Sequence, residues 1–169
     1  MTIVSPLGRG GGGSHGGITP FVLNLAAGMQ AQGVGVELLC FYPEGADAVG
    51  ERLPKGIALR VLEARNRREL RKRLGRYMRQ TAHSRFLAAG HRFNDALLSA
   101  AVAEGTTARA YASVHNTISR EVAGMGWIRG RRWLAAMRRQ YARAAGVIAV
   151  SRGVAEDLVS LVPVSRERL

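Results

Sequence analysis

The chain has 169 residues, 47% of them apolar and 22% charged, which suits one compact domain with a sizeable core and is short for two. This balance excludes wholesale disorder, no stretch nears the roughly 18 uninterrupted apolar residues that span a bilayer, and the N-terminus lacks the basic flank and apolar run of a secretory signal. The charge is unusual: 25 basic residues face 12 acidic ones for a net +13, a field that favours an anionic phospholipid, nucleic acid or phosphorylated sugar without choosing among them.

Strand and helix signals alternate from end to end. Thr2 to Ser5 reads as a first strand, followed by a glycine-rich loop from Leu7 to Gly17. Thr19 to Gly33 reads as a helix, with Thr19 as N-cap, Pro20 at the first helical position and Gly33 after the last turn. Val34 to Tyr42 is largely apolar, the mark of a strand buried on both faces. Cys40 within it has no second cysteine to pair with and reads as a small buried hydrophobe in a reducing compartment. Pro43-Glu44-Gly45 is a turn, Ile57 to Leu62 a third strand, Asn66 to Thr81 a basic helix and Arg85 to Ala89 a fourth strand. A helix from Phe93 to Glu104, a strand from Arg109 to His115, a helix from Arg129 to Ala145 and a strand from Val147 to Val150 complete the alternation. Ser151 then caps a last helix. This order predicts an α/β fold: a Rossmann-like parallel sheet with helices on both faces.

Three features could carry chemistry. The glycine-rich segment from Gly8 to Gly17 joins a strand to a helix N-terminus, where free backbone N–H groups and the helix dipole favour a phosphate. Its Gly8-x-Gly10-x-x-Gly13 spacing formally fits the dinucleotide fingerprint, so the cofactor domain of an oxidoreductase is an alternative. Against it, the second strand ends Leu39-Cys40-Phe41-Tyr42 with no acid to hold a ribose, and no Gly-Lys-Ser or Gly-Lys-Thr follows the glycines. The second feature is His115-Asn116-Thr117 at the carboxyl end of the fifth strand, with His91, Arg92 and Asn94 just beyond the fourth. Imidazole and amide groups at strand ends suit sugar hydroxyls. No carboxylate or cysteine cluster accompanies them, so no metal is expected. The third is the basic helix, whose Arg68, Arg71, Lys72, Arg76 and Arg79 surround a Leu70, Leu74, Tyr77 stripe. The Arg129 helix repeats the theme, with Trp133, Met137 and Tyr141 inward. With few balancing acids, both faces suggest an anionic partner, best a membrane surface. A nucleic-acid-binding module is a further alternative, although no recognition motif supports a specific one.

The order of these pieces resembles the N-terminal domain of family 4 glycosyltransferases of the GT-B fold. The resemblance runs through the glycine loop, Phe21 to Met29, Gln32 to Leu39, Ser113-Val114-His115-Asn116-Thr117, and Ala144 to Leu158. It implies that residues 1–169 are one half of a GT-B fold, the acceptor-side domain, with a donor-binding C-terminal domain acting in cis but absent here. It implies sugar transfer, with retention, from a nucleotide-sugar donor to a membrane-associated glycan or lipid-linked acceptor. The enzyme would be cytoplasmic, peripheral on the inner face of the membrane, and inactive as this domain alone. By position, Gly11, Gly12, Gly13, Ser14, Gly16 and Gly17 would meet the donor phosphate or sugar, and His115 would act in catalysis. His15, His91, Asn94, Asn116 and Thr117 would form the acceptor side. The nucleotide sugar is a substrate, and no cofactor is implied.

Overall fold

The computed structural model describes residues 1–7, 17–41, 46–50, 52–106 and 109–169, with the side chains of all but residues 47 and 48. In chain order the elements are β1 (Thr2–Val4), α1 (Ile18–Ala31), β2 (Glu37–Cys40), α2 (Ala46–Gly50), β3 (Ala58–Val61), α3 (Arg67–Gln80), β4 (Phe86–Ala89) and α4 (His91–Ala103). They continue with β5 (Ala110–Val114), α5 (Ile118–Ala123), α6 (Trp127–Tyr141), β6 (Gly146–Ala149) and α7 (Arg152–Leu161), before a short 3-10 turn at Arg166–Arg168. The strands form one sheet in the order β3-β2-β1-β4-β5-β6, and every neighbouring pair is parallel. The α/β, Rossmann-like reading therefore holds. The chain winds outward from β1 in one direction and from β4 in the other, so a crevice opens between their carboxyl ends.

Two cores flank the sheet because successive strand residues point to opposite faces. Ile3, Leu38, Cys40 and Ala89 pack with Val22, Leu23 and Ala26 of α1. Val4, Leu39, Phe86 and Ala88 pack on the other side with Leu70, Leu74 and Tyr77 of α3, Leu97 of α4 and Met137 of α6. A fully enclosed leucine such as Leu74 or Leu97 stabilises by about 1.5–3 kcal/mol over an exposed one. β2 is buried throughout, as its apolar run implies, whereas β3 lies at the sheet edge and is mostly exposed. Cys40 is fully buried, its thiol donating to Leu7 O at 2.9 Å.

Helix boundaries depart from the expectation in ways that matter for the rim. α1 begins at Ile18, so Gly17 rather than Thr19 occupies the cap, and no side chain caps it. Pro20 falls third in the helix, still within the first turn, where its missing N–H costs nothing. α4 begins at His91 rather than Phe93, because Gly90 supplies the break with φ +90°. α3 starts as expected: Asn66 Oδ1 accepts from Glu69 N at 3.0 Å, and Glu69 reaches back to Arg65 N at 2.9 Å.

The amino ends of the strands carry a separate polar cluster. Tyr77 and Arg60 both donate to Glu37, and Thr2 Oγ1 lies 2.5 Å from His83 Nδ1. Burial pushes the Glu37 carboxyl up, but the Tyr77 and Arg60 hydrogen bonds outweigh it and hold the group below its ordinary range. This cluster ties β1, β2 and α3 together at the end of the sheet away from the crevice.

Candidate active site at the carboxyl rim

His115 follows the last residue of β5 and is half-buried. Its ring meets Phe21 of α1 edge-on, with centroids 4.8 Å apart and planes at 81°. The contact brings the first turns of α1 beside the end of β5, so the uncapped, partly positive helix N-terminus shares the rim with the imidazole. Ser113 Oγ lies 3.0 Å from His115 Nε2. Burial, and then the nearby His91, lower the His115 pKa from its ordinary value, so the ring is neutral at pH 7 and can both accept and donate a hydrogen bond.

His91 stands at the first position of α4, its ring edge-on to Trp133 at 5.5 Å. Its Nε2 lies 3.3 Å from Glu121 Oε1, the oxygen that also accepts from Asn116 Nδ2 at 3.1 Å. The His91 imidazole, helped by the Asn116 amide, holds the Glu121 carboxyl below its ordinary range against the effect of burial. His115, Asn116, Thr117, Arg120, Glu121 and Val154 line an open depression of about 460 Å³.

The structure thus brings His91, His115, Asn116 and Thr117 to one rim. Gly17 also lies there, exposed, but with φ −77° and open space around a notional Cβ, so its own geometry does not require glycine. Gly11, Gly12, Gly13, Ser14, His15 and Gly16 lie outside the described residues, as does the turn at Pro43-Glu44-Gly45. Asn94 is a correction. It is fully buried, and its Nδ2 donates to Ser113 O and to Tyr141 Oη, each at 2.9 Å. It fastens α4 to β5 and α6 from inside and presents nothing to an acceptor.

Two carboxylates at the rim escaped the sequence reading. Glu121 sits on α5, a six-residue helix too short to show periodicity and read as loop. Asp157, on α7, accepts from Ile118 N at 2.5 Å and Ser119 N at 3.2 Å, capping α5 from 39 residues away. Among the described residues no group of three or more His, Cys, Asp or Glu is placed to hold a metal ion.

The basic helices keep their charge at the surface. Arg68, Arg71, Lys72, Arg76 and Arg79 are all exposed. Arg79 pairs with Glu104, the residue that ends α4, whereas the other four have no ion pair among the described residues. On α6, Met137 and Tyr141 are buried as expected, but Trp133 is only half-buried. No described helix is long and apolar enough to cross a membrane.

A neutral imidazole, an amide and an ionised carboxylate around an open depression can exchange hydrogen bonds with a polyhydroxylated ligand, while Arg120 and the α1 N-terminus can attract an anion. No curated protein sequence matches the chain. Residues 15–169 match the profile of Glycosyltransferase Family 4. The match covers most of the chain, and the chain belongs to glycosyltransferase family 4.

Proposed function

We propose that this domain forms the acceptor side of a GT-B enzyme that moves a sugar from a nucleotide-sugar donor onto a glycan or lipid-linked acceptor at an anionic membrane surface. The observation that carries this reading is His115: a neutral, half-buried imidazole beside the N-terminus of α1 and above the Asn116–Glu121 depression. In this reading His115 hydrogen-bonds the transferred sugar or the attacking hydroxyl, and Asn116, Thr117 and Glu121 orient the acceptor. In the same reading Gly11, Gly12, Gly13, Ser14, Gly16 and Gly17 would meet the donor diphosphate or sugar. A second domain, facing the rim in cis, would hold most of the nucleotide, so the acceptor-side domain by itself would not turn over. Helix termini and guanidinium groups would offset the charge on the leaving diphosphate, so the reaction is assigned no cofactor.

Arg68, Arg71, Lys72 and Arg76, which have no ion pair among the described residues, would hold the domain at the cytoplasmic face, each basic residue near an anionic surface contributing about 1 kcal/mol. Labelled nucleotide sugars offered to the full-length protein, with a lipid extract or soluble glycans as acceptors, test the reaction class. Label is expected to move from nucleotide to acceptor. If no donor supports transfer while a nicotinamide dinucleotide is reduced or oxidised, the oxidoreductase reading prevails.

A further inference from the structure

A second cleft, of about 590 Å³, runs beside the rim between α6 and the first turns of α3 and α4, within the usual range for small-molecule sites. Its wall along α6 extends from Ile128 to Tyr141, about 20 Å at 1.5 Å per residue. The floor is apolar: Trp133, Ala136 and Met137 line it, and Ile128 stands at its mouth, 65% exposed. The polar groups at the far end satisfy one another. Gln140 Nε2 donates to Asp95 Oδ1 at 2.6 Å and lies 3.0 Å from Ser99 Oγ, and Arg67 pairs with the other Asp95 oxygen.

Arg129 and Arg132 remain. Both are exposed, line the cleft and have no ion pair among the described residues. Three residues apart on one helix, their side chains are neighbours on its surface, and the two guanidinium groups can close on a single anion. The near end of the cleft is His91, the residue that also touches Glu121 of the rim depression.

We propose that this cleft holds a phosphate carried on a hydrocarbon chain, with Arg129 and Arg132 clamping the phosphate and the chain lying along Trp133, Ala136 and Met137. The proposal rests on the sugar-transfer reading above and narrows its acceptor to the lipid-linked class. Charge complementarity selects the occupant. A free phosphate leaves the apolar floor uncovered, a neutral chain leaves both guanidinium groups unmatched, and a peptide brings backbone groups for which the floor offers no partners. Lying beside the rim through His91, the clamp would set a head group attached to that phosphate over the Asn116–Glu121 depression.

The test uses a Trp127→Phe background, which leaves Trp133 as the one fluorescent indole of the two in the chain. Decyl phosphate, decyl maltoside and inorganic phosphate are titrated separately, below micelle-forming concentrations. Decyl phosphate is expected to shift the emission saturably and to bind at least about tenfold more tightly than either comparator. Arg129→Gln/Arg132→Gln should weaken it by about tenfold or more, while Arg139→Gln, exposed on the same helix and outside the cleft, should not. Both substituted arginines are exposed, and an unchanged unfolding midpoint confirms that the double variant folds. Equal binding of decyl maltoside, equal binding of inorganic phosphate, or indifference to the double substitution would each overturn the proposal. Should any of these occur while the protein still transfers sugar to a soluble acceptor, the clamp would fail and the sugar-transfer reading would stand.

Discussion

Gly90→Val is expected to destabilise the protein by about 3 kcal/mol, measured by urea denaturation against the parent. Gly90 ends β4 with φ +90° and ψ 143°, backbone that a side-chain-bearing residue occupies only at roughly 1–3 kcal/mol. A Cβ here would stand 3.4 Å from Ile18 Cδ1, so valine's two further carbons overpack the gap between α1 and α4, at about 1–3 kcal/mol. The position also matters chemically. Gly90 N donates to Ser113 O at 3.3 Å, and the next residue is His91, so relaxation of the strain would move His91 away from Glu121. An unchanged midpoint would show that the turn after β4 accepts a side chain and that the placement of His91 is not fixed by glycine.

Asn94→Ala is expected to cost about 2 kcal/mol in the same measurement, with little effect on acceptor KM. Removal of Nδ2 strips a donor from Tyr141 Oη and one of two donors from Ser113 O, whose other is Gly90 N. A buried polar group left without a partner costs about 1–3 kcal/mol. Asn94 Oδ1 is itself buried without a partner among the described residues, so its removal returns part of that cost and places the net effect near the middle of the range. Burial pushes the Tyr141 hydroxyl far up, so ionisation cannot relieve its loss. A stable variant with a raised KM would instead put Asn94 in the acceptor wall.

Much of the fold was legible because each strand is a short apolar run between recognisable helix ends. Ser151 ahead of α7 capped its helix as read, its Oγ accepting from Val154 N at 3.3 Å. The failures were of two kinds. α2 and α5, with five and six residues, are too short for a 3.6-residue period to stand out from a loop. At α1 and α4 the residue types misled: Thr19 looks like a cap, but Gly17 fills that place, and Gly90 starts α4 two residues early.

The rim could be located from sequence because the carboxyl ends of parallel strands share one edge, which placed His91 and His115 together before any coordinates. Asn94 is a different case, and its signal was present. It shares a helical stripe with Leu97, Leu98 and Ala101, all buried, and an amide within an apolar stripe points inward. Glu121 beside His91 and Asp157 beneath α5 could not be found this way. Both contacts join segments 30 or more residues apart in sequence, and only packing brings them together.

Nucleotide-sugar-dependent transfer by His115→Ala, compared with Arg85→Gln at the exposed position just before β4, tests most directly whether sugar is transferred at this rim. Loss of a positioned imidazole from a reacting centre lowers kcat/KM by about 100-fold or more, and that fall is the predicted result, with Arg85→Gln unchanged and both variants folded. Equal activity in the two variants would contradict the account and place the chemistry elsewhere on the domain.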